Sequence, residues 1–107
     1  MHKDKVISVV VPAHNEQKLI QKMLQTLPDW IDHIFVIDDH SQDATSDKVH
    51  ERMEADSRIV LIRHDKNQGV GAAICTGYKA SLENDVDIAV VMAGDAQMDP
   101  ADLENIV

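Results

Sequence analysis

The chain has 107 residues, with 19 Asp and Glu against 10 Lys and Arg and a formal charge of −9, which argues against nucleic acid or an anionic membrane surface as its main partner. Its length fits one small domain, no apolar run approaches the roughly 20 residues that span a bilayer, and Met1-His2-Lys3-Asp4-Lys5 lacks a signal-peptide layout. The single cysteine, Cys75, leaves no internal disulfide and fits a reducing compartment, so a cytoplasmic setting is expected.

The first element is an apolar run over residues 6–11, rich in Val, as suits a strand covered on both faces. A helix is expected over 16–27, where Leu19, Ile20, Met23, Leu24 and Leu27 form one stripe, Asn15 can serve as N-cap and Pro28 ends the run. Trp30, just beyond, is expected to cover the end of that helix. A second strand follows over 34–37, then a helix over 44–56 with Asp43 as N-cap and a thin stripe of Thr45, Val49 and Met53. The third strand covers 59–62. The third helix, 70–82, has Ala73, Gly77 and Ala80 on one flank, small enough for close approach to a sheet, and Ile74, Tyr78 and Leu82 on the next. A fourth strand is expected over 88–92, and Asp99 followed by Pro100 marks the start of a last helix.

The alternation of strand and helix calls for a three-layer α/β/α fold with a mostly parallel sheet and right-handed crossovers. All the strands then point their carboxyl ends to one edge, where such sheets bind ligands. Four loops meet there: Pro12-Ala13-His14-Asn15-Glu16, Asp38-Asp39-His40-Ser41, Asp65-Lys66-Asn67-Gln68-Gly69 and the segment from Ala93 to Asp99. A dinucleotide fingerprint is absent, because the glycines follow the third strand rather than the first and Ile74 stands where the third glycine belongs.

Val9-Val10-Val11-Pro12-Ala13-His14-Asn15-Glu16, Val36-Ile37-Asp38-Asp39-His40-Ser41-Gln42-Asp43-Ala44-Thr45, Asn67-Gln68-Gly69-Val70-Gly71-Ala72-Ala73 and Gly94-Asp95-Ala96-Gln97 together resemble family 2 glycosyltransferases. The likeness is to the Rossmann-like nucleotide-sugar half of the GT-A fold, and in particular to enzymes similar to dolichol- or polyprenol-phosphate mannose and glucose synthases. It implies that residues 1–107 form the nucleotide-diphospho-sugar-binding part of a truncated domain whose C-terminal acceptor half is missing.

By this resemblance Pro12, Ala13 and Glu16 line the base and ribose pocket, with Glu16 accepting from a hydroxyl; Asn15, Asn67, Gly69 and Ala72 also belong to the nucleotide site. Helix amides behind Pro12 can receive an anion, although the Glu16 carboxylate opposes one and is equally at home against the helix dipole. Alternation sends Asp38 and Asp39 to opposite sides. One of them accepts a base N–H while the other holds the turn, and Asp38 is preferred for the base because Asp39 can bond to the turn at Ser41. The resembled family usually carries a Lys after the first glycine and often an Arg further along; Val70 and Cys75 stand there. Its D-x-D motif places the second aspartate at Asp95 and the first at Ala93, so one acid is absent. Asp95, also counted with the nucleotide site, and Gln97 are then the ligands expected for Mg²⁺ or Mn²⁺, since magnesium is often held by one or two carboxylates with substrate phosphates and water. The plain alternatives are that Asp95 ends a strand and Asp99 caps a helix.

The implied reaction is single displacement with inversion, from a nucleotide-diphosphate sugar to a sugar or a lipid-phosphate acceptor. A sugar acceptor needs a general base, and none is assigned within the chain. The isolated chain is expected to carry the donor site, to be inactive alone, and to self-associate through an exposed sheet edge; the whole protein could associate with a membrane. Two other classes compete. A nucleotidyltransferase calls for a Gly-rich, Arg-containing loop after the first strand, which Pro12 to Glu16 is not. A non-catalytic nucleotide-binding or regulatory module fits the loss of polar groups at Val70, Cys75 and Ala93. The histidines show no metal-ligand spacing, although His14 and His40 fall in cleft loops, and Cys75 is expected to be buried packing.

Overall fold

The computed structural model describes residues 4–92. Seven elements alternate: β1 (Ile7–Ala13), α1 (Ile20–Gln25), β2 (His33–Asp38), α2 (Thr45–Ala55), β3 (Ile59–Arg63), α3 (Val70–Glu83) and β4 (Ile88–Val91). All strand pairs are parallel, and the sheet order is β3-β2-β1-β4. The chain therefore steps outward twice, from β1 to β2 to β3, and then returns past β1 to β4. With a fixed crossover hand, that reversal carries α3 to the opposite face from α1 and α2.

Two separate cores show the three layers. On one face Val9, Val11, Ala13, Ile34, Val36 and Ile59 pack with Ile20, Met23, Leu24 and Val49 of α1 and α2. On the other, Val10, Phe35 and Ile37 pack under Ala73 of α3. Successive residues of each strand thus alternate between cores, and the Val- and Ile-rich runs are explained because both faces are covered. Trp30 packs against the first core beside the end of α1, as expected. Among the described residues no helix is long and apolar enough to cross a membrane.

The helices differ from expectation in four places, one being that α2 is preceded by Ala44 without a side-chain cap rather than capped by Asp43. The first helix spans only Ile20–Gln25, and its cap is Leu19, without a side-chain bond, rather than Asn15. Asn15 takes φ +54°, incompatible with a helix start, because its own amide is held by the Ser41 hydroxyl at 2.9 Å. In α3 the buried residues are Ala73, Gly77 and Ser81, whereas Tyr78 and Leu82 are exposed. Cys75 is exposed as well, which corrects the expectation of a buried packing residue: the helix turns that side chain away from the sheet. The helix expected to begin at Asp99 lies outside the described residues.

Candidate functional site

The pleat decides which side chains share a face at the carboxyl edge. In β2, Ile34 and Val36 face α1 and α2, while Phe35 and Ile37 face α3. Continuing the alternation sends Asp38 toward α2 and Asp39 toward α3. The hydrogen bonds agree. Asp38 is wholly buried; one carboxylate oxygen accepts the Ser41 amide at 2.9 Å and the other accepts the Ser46 hydroxyl of α2. Asp39 accepts the Gln68 amide at 2.9 Å and the Gly69 amide at 2.8 Å, both from the loop that opens α3. Gly69 can present its amide there because it takes φ +93°, a conformation that strains any other residue.

A third partner completes the setting of Asp39. His64, one residue past β3 and buried, donates from Nδ1 to Asp39 Oδ1 at 2.8 Å, and its Nε2 lies 2.8 Å from the Thr76 hydroxyl on α3. Burial raises the pKa of Asp39, but the Gln68 amide, His64 and the Gly69 amide together outweigh it and hold the carboxyl below its ordinary value. Asp39 is therefore ionised at neutral pH and acts as an acceptor.

Asp39 borders a cleft of about 210 Å³ whose other walls are Pro12, Ala13, His14, Glu16, Val70 and Ala73. That is below the roughly 300–1,000 Å³ of a pocket enclosing a drug-sized ligand, so it has room for only part of one. Among the described residues its walls include Asp39 and Glu16 and no Lys or Arg. Such a lining suits hydrogen-bond donors, N–H and O–H groups, better than phosphate. His14 is held at the rim by its Nδ1–H, which donates to the Asp39 carbonyl at 2.9 Å, and the Asn67 amide approaches its Nε2 at 3.4 Å.

The β1–α1 loop is stitched to α2 rather than left open. The amides of Asn15, Glu16 and Gln17 donate to Ser41 Oγ, Thr45 Oγ1 and Asp43 Oδ2. In return Asn15 Oδ1 accepts the Gln42 amide and Gln17 Oε1 the Ala44 amide, each at 2.9 Å. These exchanges use the amides that would otherwise receive an anion, so the first loop presents side chains, not a phosphate cradle.

Of the residues expected at the nucleotide site, Pro12, Ala13, Glu16 and Asp39 line one cleft, with Asn67 and Gly69 framing it from the α3 loop. Three are placed differently. Asp38, preferred for the base, has both oxygens committed to Ser41 and Ser46, and the turn bond assigned to Asp39 is its own; pleat parity is the reason. Asn15 is spent on Gln42. Ala72 gives its carbonyl to Thr76, and Val70 and Ala73 form the wall instead. Asp95 and Gln97 lie outside the described residues, and among the described residues no group of three His, Cys, Asp or Glu could hold a metal ion. His64 and Thr76 were missed. The pairing of Asp38 with Arg63 puts the next residues, Asp39 and His64, side by side on the α3 face, so register is the signal that marks His64, whereas nothing in the sequence marks Thr76.

A parallel sheet with helices on both faces and a cleft at its carboxyl edge defines a Rossmann-like three-layer α/β/α fold. The family model described as glycosyl transferase family 2 matches residues 8–107, and the chain belongs to that family. The UDP-N-acetylglucosamine–dolichyl-phosphate N-acetylglucosaminyltransferase of Methanococcus voltae is 33% identical over 97% of this chain, which spans 47% of that relative's length. A mannosyltransferase of Pyrobaculum calidifontis, solved with GDP-mannose and Mn²⁺, superposes with a TM-score of 0.76 at 24% identity, over 88% of this chain and 28% of that one. Glucosyl-3-phosphoglycerate synthase of Mycobacterium tuberculosis, solved with Mn²⁺, UDP and glucosyl-3-phosphoglycerate, superposes at 0.66 and 22% identity, over 85% of this chain and 34% of that one.

Proposed function

We propose that the protein is a glycosyltransferase that takes a sugar from a nucleotide-diphosphate donor, and that the cleft between Pro12, Glu16 and Asp39 receives the nucleoside. The observation that carries this is that an ionised Asp39 and Glu16 border one cleft whose walls, among the described residues, include no Lys or Arg. Asp39 accepts a base N–H and Glu16 a ribose hydroxyl, while Pro12, Ala13 and Ala73 give the base an apolar bed. The acceptor is a polyprenyl phosphate, a reading supported by the dolichyl-phosphate named for the Methanococcus relative. Its phosphate oxygen attacks the anomeric carbon, the bond to the nucleoside diphosphate breaks, and the configuration inverts. The chain by itself carries the donor side and is inactive. The whole protein works at the cytoplasmic face of a membrane, and the isolated chain self-associates.

A divalent cation, Mg²⁺ or Mn²⁺, accompanies the donor, supported by the Mn²⁺ in the two similar structures. When bound it would offset charge on the leaving diphosphate. Asp95 and Gln97 are its proposed ligands, and Ala93→Asp should tighten Mn²⁺-dependent nucleotide binding. A second reading, a non-catalytic nucleotide-binding module, is favoured by one observation: Val70, the position at which the resembled family usually carries a Lys, stands at the cleft wall. Calorimetry with UDP- and GDP-sugars, with and without Mn²⁺, separates the two. Metal-dependent micromolar binding that Asp39→Asn abolishes supports the transferase, and metal-independent binding supports the module. Binding of neither nucleotide sinks both.

A further inference from the structure

His64 has the outward geometry of the middle member of a nucleophilic triad, with a carboxylate at Nδ1 and a hydroxyl at Nε2, both at 2.8 Å. The hydroxyl end does not support that chemistry. Thr76 sits within α3 and its oxygen lies 3.0 Å from the Ala72 carbonyl, whereas the cleft is at the other end of the chain of bonds, beside Asp39. The relay is therefore aimed at the carboxylate.

A carboxylate offers about four acceptor positions. Among the described residues three on Asp39 are filled: Oδ1 takes His64 Nδ1–H and the Gln68 amide, and Oδ2 takes the Gly69 amide. Oδ2 keeps one. Which way it points depends on how the carboxylate is rotated, and that rotation is held by the Gln68 and Gly69 amides from the α3 loop and by the His64 ring from the β3 side. Thr76 makes the ring dependable. Its single proton can go to the Ala72 carbonyl, leaving its oxygen to accept from a protonated Nε2, or to Nε2 itself when the ring is neutral. In both cases Nδ1–H stays on Asp39, so the imidazole is a strut in either protonation state.

We propose that His64, braced by Thr76, is a positioning residue that sets base specificity. It aims the open position of Asp39 Oδ2 so that the cleft accepts bases presenting a ring N–H, as N3–H of uracil and N1–H of guanine do, and disfavours cytosine and adenine, whose corresponding ring nitrogen presents a lone pair and whose only N–H donors there are exocyclic amines. A site built to receive an N–H discriminates strongly against a group that cannot give one. This rests on the nucleoside reading of the cleft.

The test compares His64→Asn, whose side-chain amide can occupy the place of Nδ1–H, with His64→Gln, whose amide reaches the place of Nε2. Calorimetry on the full chain with UDP, GDP, CDP and ADP in the presence of Mn²⁺ gives the discrimination, and thermal melts report folding. Wild type and His64→Asn should bind UDP or GDP about tenfold or more tightly than CDP, and His64→Gln should fall to within about threefold by losing affinity for the preferred nucleotide. Equal discrimination in the two variants, or its loss in His64→Asn alone, overturns the proposal. So does a wild type that binds all four nucleotides alike. A wild type that binds none rejects the nucleoside reading itself. If His64→Gln melts far below wild type, the near-isosteric Thr76→Val decides: narrowed discrimination supports the strut and unchanged discrimination overturns it.

Discussion

Gly77 of α3 lies directly on Val10 of β1: a Cβ placed on Gly77 would fall 2.1 Å from Val10 Cγ1 and 3.0 Å from its Cβ. The helix can rest this close only because there is no side chain at that point, and the same helix carries Val70 and Ala73 to the cleft wall. Gly77→Ala must therefore push α3 off the sheet. Overpacking of this kind costs about 1–3 kcal/mol, and urea denaturation should show it, together with weakened nucleotide binding as the wall moves. An unchanged midpoint would mean that Val10 yields without cost.

Thr45 is fully buried, and its hydroxyl accepts the Glu16 amide at 2.8 Å while donating to Asp43. Thr45→Val keeps the shape and removes both bonds. A buried amide left without an acceptor costs about 1–3 kcal/mol, so the variant should lose stability by that amount. Because Glu16 is on the cleft, affinity for a nucleoside should fall further than affinity for the base alone.

The pH dependence of stability follows from the depressed carboxylates. Burial raises Asp39 and Asp43, but hydrogen bonds lower each below 3.8 on balance, while Asp56 is lowered first by its bond from Arg58. The unfolded chain binds protons at higher pH than the folded one, so the stabilisation is complete above the ordinary carboxylate pKa and is lost as pH falls through the folded values. Denaturation midpoints should hold from pH 7 down to about 5 and decline below. Asp39→Asn should be less stable than wild type at pH 7, with the gap closing as the pH is lowered. A gap independent of pH would assign the loss to packing alone.

Val70 is 65% exposed at the cleft rim, so a longer side chain fits there without strain. Val70→Lys places a cation beside a site whose walls, among the described residues, include no Lys or Arg. Nucleoside diphosphates should bind roughly two- to fivefold more tightly at low salt, an effect below about 1 kcal/mol because the group is solvated. Nucleosides without phosphate should be unaffected, and 0.5 M salt should erase the gain. An equal gain for both ligands would place the diphosphate elsewhere.

Much of the architecture was legible in the chain. The runs at 7–13, 33–38, 59–63 and 88–91 are rich in Val and Ile, as suits strands of a sheet with helices on both faces, and that composition needs no knowledge of distant partners. Helix stripes such as Ile20, Met23 and Leu24, or Thr45 and Val49, are likewise local. Their alternation was enough to imply the three layers and the edge at which Pro12, Glu16, Asp39 and Gly69 gather.

The tertiary structure decided what register and long-range bonding control. Asp38 and Asp39 are chemically alike, and only the pleat of β2 against its two cores turns one to α2 and the other to the cleft. The helix expected from residue 16 starts at Ile20, after a loop whose amides at Asn15, Glu16 and Gln17 are bonded to side chains 26 to 29 residues later. His64 shows no spacing that marks it as functional. It becomes legible only when β3 pairs with β2, which brings its ring against Asp39, and when the return of the chain past β1 lays Thr76 behind it. Local pattern determines which elements form, since hydrophobic period and backbone preference act over a few residues. The direction of a particular carboxylate depends on partners supplied by other strands and helices, and only the folded sheet brings them together.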